Sequence, residues 1–107
     1  MEHGCTVLVE RVDSLESRLG VGLSAIFAGW EPELGFIIVR GELHSKSGSE
    51  ITRALSISAA AYDDRGRVIA TEERIISEEQ FFEFHIFQLT LSVARKPAKI
   101  RLFPKQF

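Results

Sequence analysis

The chain has little of what would staple, anchor or steer a protein. Its one cysteine, Cys5, cannot form an internal disulfide, which argues for a reducing compartment. The start, Met1–Cys5, lacks the basic and apolar regions of a signal peptide, and no apolar run approaches the roughly 20 residues that span a bilayer. The net charge of −2 gives no strong field for nucleic acid. We therefore expect a cytoplasmic protein with no membrane and no nucleic-acid partner.

Arrangements that carry catalysis are also missing. The three histidines, His3, His44 and His85, are far apart in sequence, and a His3–Cys5 pair supplies two ligands where a zinc site needs four. Asp63 and Asp64 are too few oxygens for calcium, and turn chemistry explains both. The sequence has no Gly-x-Ser-x-Gly and no glycine-rich phosphate loop. We expect no enzyme, no metal and no cofactor.

The 107 residues suffice for one domain, residues 1–107, with 45% hydrophobic and 26% charged residues. Short apolar runs alternate with Gly, Pro, Ser and Asp clusters, at roughly the spacing of an all-β protein. This pattern predicts an immunoglobulin-like antiparallel β-sandwich of about seven strands. One short helical turn is possible at 13–20, where a capping box in Asp13–Glu16 and a stop at Gly20 compete with a plain loop.

The strongest local pattern runs from Ala61 to Ile69. Asp63 and Asp64 favour entry into a turn, and Gly66 offers a position that tolerates positive φ. A hairpin loop of three to four residues with a bulge at Gly66 fits this spacing. Before it, Thr52–Tyr62 alternates with period two. A helix is the competing interpretation there, and we prefer the strand because the turn follows at once.

Four other segments are predicted to be strands. They are Cys5–Val12, Gly22–Trp30 with Leu23, Ala25 and Phe27 on one face, Phe36–His44, and Ala98–Phe103, which Pro104 should end. Phe36–His44 is apolar on both faces, so it is either central in the sandwich or covered by a second subunit.

The phenylalanine-rich segment 81–91 shows a change of phase. Phe82, Phe84 and Ile86 share one face of an extended chain, whereas Phe87, Leu89 and Leu91 share the other. Because a shift of one residue turns every side chain over, we expect a bulge or bend near Ile86 and Phe87.

Three pieces of the chain resemble FxLYD-type domains and related immunoglobulin-like families of unknown function. The matching pieces are Gly41-Glu42-Leu43-His44-Ser45, then Ala61–Ile69 with its Tyr62-Asp63 turn, then Phe84 or Phe87. His44 stands where that pattern usually has Asn. The resemblance covers Phe36–Phe103 and implies a small non-enzymatic module without catalytic residues, often extracytoplasmic or attached to larger proteins.

Two sets of residues are candidates for binding. Trp30, beside the Pro32 turn, is either an exposed anchor or part of the core. The last thirteen residues hold five basic groups and no acid, while the first 94 hold 8 basic and 15 acidic groups, a net −7. Arg95, Lys96, Lys99 and Arg101 therefore either bind an anionic partner or line the solvent face of an edge strand.

Together these features suggest a protein-interaction module that acts through strand edges or exposed aromatics, with a homodimer slightly favoured. The alternative is a small-ligand or metal-binding module that uses a cavity between the sheets, lined by the surplus of Phe around residues 81–87.

Overall fold

The computed structural model describes residues 5–46, 48, 51, 53–81 and 83–107, without the side chains of Cys5 and Gln80. Eight strand segments, one helix and one 3₁₀ turn follow in the order β1 Cys5–Thr6, β2 Val9–Arg11, α1 Asp13–Leu19, β3 Val21–Glu31, β4 Phe36–Ser45, β5 Leu55–Tyr62, β6 Val68–Ile76, the 3₁₀ turn Glu78–Gln80, β7 Phe84–Ser92 and β8 Lys99–Gln106.

The strands form two sheets of a sandwich. Sheet A has the order β1-β3-β4-β7, and sheet B has the order β2-β8-β5-β6. If β1 and β2 are taken as one N-terminal strand divided between the sheets, there are seven strands, and the predicted all-β sandwich is confirmed. All pairings are antiparallel except that of β2 with β8, which is parallel.

Two strand pairs, β4 with β7 and β5 with β8, are arranged as in immunoglobulin domains, where B and E are neighbours in one sheet and C and F in the other. In chain order β4, β5, β7 and β8 hold these places, with β3 beside β4 and β6 beside β5. β4 and β5 each lie between two strands; β5 has apolar or small residues on both faces up to Tyr62, whereas the outer face of β4 changes from Phe36 and Ile38 to Arg40, Glu42 and His44. Of the two alternatives for Phe36–His44, the structure shows the central strand.

The hairpin between β5 and β6 has the predicted turn. Gly66 has φ +78°, and its N–H donates to the Asp63 carbonyl at 3.1 Å. The Asp63 N–H donates to the Arg67 carbonyl at 2.9 Å, which leaves three residues in the loop. The Asp63 carboxylate accepts from the backbone N–H groups of Arg65 and Arg67 at 2.9 and 2.8 Å. An additional irregularity in pairing lies between Ala61 and Tyr62.

Strand β3 contains a bulge that the sequence did not predict. Ser24 pairs with Glu42, but Phe27 pairs with Arg40, so one extra residue lies between them, and Ala25 has φ +52°. The extra residue inverts the phase of the strand. Leu23 is buried, whereas Ala25 and Phe27 are exposed and Ala28 and Trp30 become the buried residues. The expectation that Leu23, Ala25 and Phe27 share one face is therefore wrong.

Two expectations about strand interruptions are also wrong. β7 pairs with β4 without a break from Phe84 to Ser92, and Phe84 and Ile86 face solvent. Pro104 lies inside β8, opposite Ile57, and does not end it. The parallel pairing with β2 stops at Leu102, so no partner strand on that side needs an N–H from Pro104.

Helix α1 is present and ends at Gly20 with φ +70°, as predicted for the helical alternative. The capping box does not form, because the residue before the helix is Val12 and no side chain caps it. Glu16 instead turns inward and is 2% exposed. Its carboxylate accepts from the Arg11 guanidinium and from the backbone N–H of Leu23 at 3.2 Å. The helix is thereby tied to β2 and β3.

Candidate functional site

The predicted basic residues lie on β8 and on the loop before it. β8 is an inner strand of sheet B, between β2 and β5, so the interpretation of an edge strand is wrong. Lys99 and Arg101 face outward, and Nζ of Lys99 and Nε of Arg101 donate to the two oxygens of Glu10 at 3.2 and 2.6 Å. Both cations also lie over the Tyr62 ring, 5.3 and 5.2 Å from its centroid. These contacts hold β2, β8 and β5 together.

The electrostatics of this face agree with a structural role. Hydrogen bonds from Arg101, then from Lys99, hold the pKa of Glu10 below its ordinary value. Further along the strand, Lys105 lies 3.1 Å from Glu73, which also accepts from Ser56 at 2.9 Å. Most of the positive charge predicted for the last strand is thus neutralised within the protein. Arg95 and Lys96 are exposed in the loop between β7 and β8, apart from this cluster.

Trp30 belongs to the core. It is 8% exposed and pairs with Ile37 of β4. The alternative of a core residue is therefore the correct one.

The structure exposes a surface that those candidates did not include: the outer side of β7. The Val7 N–H donates to the carbonyl of Ala28, and the Leu23 N–H donates to the Glu16 carboxylate. Ala28 and Leu23, which both belong to β3, therefore direct their backbone groups away from β4. By the alternation of an antiparallel ladder, β4 residues 37, 39, 41 and 43 then bond to β7. Their partners are the odd-numbered residues of β7.

The even-numbered residues of β7 direct their N–H and C=O groups away from β4. We call this row the β7 edge: Phe84, Ile86, Gln88, Thr90 and Ser92.

Within the described chain, no strand pairs with the β7 edge. The segment Phe84–Ser92 has no Asp, Glu, Lys, Arg or Pro. The side chains of the β7 edge lie on the outer face of sheet A, where Phe84 is 50% exposed and Ile86 is 67% exposed. Among the described residues, this edge therefore lacks the charged side chains and the proline by which many proteins block strand addition.

The other terminal strand, β6, has such features. Ala98 donates to the Tyr62 carbonyl and Phe107 to the Ala54 carbonyl, so even-numbered β5 residues bond to β8 and odd-numbered ones to β6. Thr71, Glu73 and Ile75 consequently direct their backbone groups away from β5, and the Glu73 N–H donates to Oε1 of Glu72 at 3.1 Å. Glu72 and Arg74 lie on the side of β6 that faces sheet A, as inward-pointing charges of a protected edge do.

A cleft of about 550 Å³ separates the two terminal strands. It is lined by Glu72, Glu73, Arg74 and Ile75 of β6 and by Gln88, Leu89 and Thr90 of β7. β6 therefore runs beside β7 without closing it, and an extended chain has room to approach the β7 edge.

The opposite side of the sandwich is closed more fully. One end of β3 pairs with β1, and Glu16 bonds to the other end. The bulge lies between them, beside an apolar cleft of about 470 Å³ whose lining includes Leu8, Val9, Ile26 and Phe27. The Phe residues expected to line a cavity between the sheets do not form this cleft. Phe81 and Phe87 pack in the core, Phe84 faces solvent, and Phe82 lies outside the described residues.

The described residues contain neither a metal-binding cluster nor a membrane-spanning helix. Among the described residues no group of three or more His, Cys, Asp or Glu side chains converges on a point. The His3–Cys5 pair lies outside the residues whose side chains are described. No helix in the described part of the chain is long and apolar enough to cross a bilayer.

The sequence contained one signal for the β7 edge that was misinterpreted. Phe84 and Ile86 occupy the face opposite to that of Phe87 and Leu89, which indicated a break in the strand. In an unbroken strand, the same alternation means that apolar side chains are exposed.

Comparison of the chain with protein-family models, with curated proteins and with solved structures finds no match.

Proposed function

We propose that the protein is a non-enzymatic interaction module that binds an extended peptide segment by adding it to the β7 edge. The observation that carries the proposal is the edge itself: nine residues without Asp, Glu, Lys or Arg, in which every second residue directs its backbone groups away from β4 to a side where the described chain has no paired strand, with Phe84 and Ile86 exposed. In strand addition, backbone hydrogen bonds supply affinity and alternate side chains supply selectivity. Arg40 donates to Gln88 at 3.0 Å and would favour a polar or acidic residue of the added segment there.

The proposal is tested by selecting random nonamer peptides on phage against the immobilised protein. Selected peptides should lose binding to Ile86→Lys, because a Lys on the edge opposes strand addition. The matched control is Ile69→Lys, which places the same change on β6, where Ile69 is 37% exposed. Peptides that bind both variants equally, or a selection that enriches none, would show that the β7 edge is not a peptide site.

A relation to the FxLYD-type domains is part of the proposal. It is supported by the role of Gly41, since a Cβ there would lie 2.7 Å from Cζ of the Phe87 ring. The glycine and the later Phe of the pattern thus form one packing contact, and Tyr62-Asp63 leads into the Gly66 turn. We assign the module to the cytoplasm because of its single cysteine.

The second candidate is a small-ligand module, favoured by the apolar cleft beside the bulge. Its volume of about 470 Å³ lies in the range of ligand sites, and the positive φ of Ala25 on its wall is strained for a residue with a Cβ. A thermal-shift screen against metal ions and apolar metabolites tests it, because a ligand of the folded state must raise the melting temperature. A flat screen would remove this candidate.

A further inference from the structure

The β7 edge also suits one particular partner, a second copy of this chain. We propose that two copies associate by antiparallel pairing of β7 with β7 about a two-fold axis at Gln88, which joins the two A sheets into one sheet of eight strand segments. This proposal rests on the proposed use of the β7 edge and names its partner.

The first argument is hydrogen bonding. A two-fold axis at Gln88, the middle residue of Phe84–Ser92, aligns all five edge residues of one copy with those of the other. Phe84 then lies opposite Ser92 of the second copy, Ile86 opposite Thr90, and Gln88 opposite itself. Each pair exchanges two backbone hydrogen bonds, about ten in all, whereas moving the axis along the strand reduces the overlap.

The second argument is charge. Across a two-fold axis, each edge residue lies opposite either the same residue of the second copy or the residue at the same distance on the other side of the axis. Like charges on the edge are therefore brought close together and repel each other. β7 has no charged residue between Phe84 and Ser92, and therefore incurs no such cost. β6 would bring Glu72 and Glu73 of both copies together, with Arg74 as the nearest cation in that segment. Self-association is thus favoured at β7 and opposed at β6.

The third argument is the pattern of apolar side chains on the outer face of sheet A. Ile38 pairs with Thr90, and Phe36 pairs with Ser92. In the proposed dimer Thr90 and Ser92 are followed across the axis by Ile86 and Phe84 of the second copy. The exposed Phe84 and Ile86 of one copy thereby lie in the same cross-strand rows as the half-buried Phe36 and Ile38 of the other copy.

The test is a matched pair of proline variants, Thr90→Pro and Thr71→Pro. Both threonines are exposed, and both have their N–H directed to a free edge, one on β7 and one on β6. Proline is tolerated at such positions because it removes no bond inside the sheet. Sedimentation should show a dimer for the wild type and for Thr71→Pro. Thr90→Pro loses two hydrogen bonds by symmetry and should dimerise at least about tenfold more weakly.

The register is tested by cross-linking in a Cys5→Ser background with a short thiol-specific reagent. Gln88→Cys should link the two copies efficiently. Phe84→Cys should not, because four residues on each side of the axis separate those positions by about 27 Å along the strands. Cross-linking at 84 in place of 88 would overturn the axis.

The outcomes separate this inference from the proposed function. A wild type that stays monomeric over the whole concentration range overturns the dimer, and peptides selected on the β7 edge would still support the interaction module. A dimer that Thr71→Pro disrupts and Thr90→Pro leaves intact would overturn the dimer as proposed and would place the interface at β6.

Discussion

At the scale of single residues, a few positions have conformations or contacts that few side chains could provide. Gly66 takes φ +78° at the end of a three-residue loop, and Asp63 fills the loop with its carboxylate. Ala25 and Glu83 are the non-glycine residues with positive φ in the described chain, and they lie where β3 bulges and where β7 begins. These residues determine where strands turn and change face.

Replacing Gly66 with Val should destabilise the protein by about 1–2 kcal/mol, because a β-branched residue is strained at positive φ. Space is not the cause, since nothing lies within 4 Å of a Cβ built there. Asp64→Asn, at an exposed position of the same loop, should change the free energy of unfolding little. Urea titrations of both variants provide the measurement. Equal and negligible losses would mean that the turn does not depend on the left-handed conformation of Gly66.

At the scale of elements, the sequence predicts a strand best where a clear turn signal follows it directly and joins it to a neighbouring strand. Leu55–Tyr62 alternates, and the Asp63–Gly66 turn follows it, so strand and hairpin could be derived together. The prediction fails where one residue changes the phase. Leu23, Ala25 and Phe27 alternate as well as any strand, and the bulge becomes visible only through the pairing of Ser24 with Glu42 and of Phe27 with Arg40.

The same limit applies to β7, in the opposite sense. Exposed Phe84 and Ile86 suggested a broken strand because apolar residues are expected inside. The strand is continuous, and its partner β4 is a distant segment that local patterns do not identify. The candidate site was missed for this reason: an edge is defined by the absence of a neighbour, which depends on the whole strand order. The basic residues of β8 were misplaced for the same reason.

At the scale of the whole molecule, four carboxylates connect separate elements or close a hairpin. Glu10 joins β2 to β8, Glu16 joins α1 to β2 and β3, Asp63 closes the β5–β6 turn, and Glu73 joins β6 to β5 and β8. Each has a pKa below its ordinary value. Burial alone would raise the pKa of Glu16, but the bonds from Arg11 and from the Leu23 N–H together outweigh it.

These shifts predict that acid lowers the stability of the protein. As the pH falls, the unfolded chain takes up protons at the ordinary carboxylate values before the folded protein does. The stabilisation is therefore fully present above about pH 5 and is lost as the pH falls through the lowered folded values. Urea midpoints measured over this range should decline steeply.

Glu16→Gln should be less stable at neutral pH, because Arg11 loses its anionic partner, and should show a shallower decline in acid. Glu33→Gln, in the exposed β3–β4 turn, should retain the wild-type profile. If Glu16→Gln kept the full acid dependence, its carboxylate would not be one of the groups that couple protonation to folding.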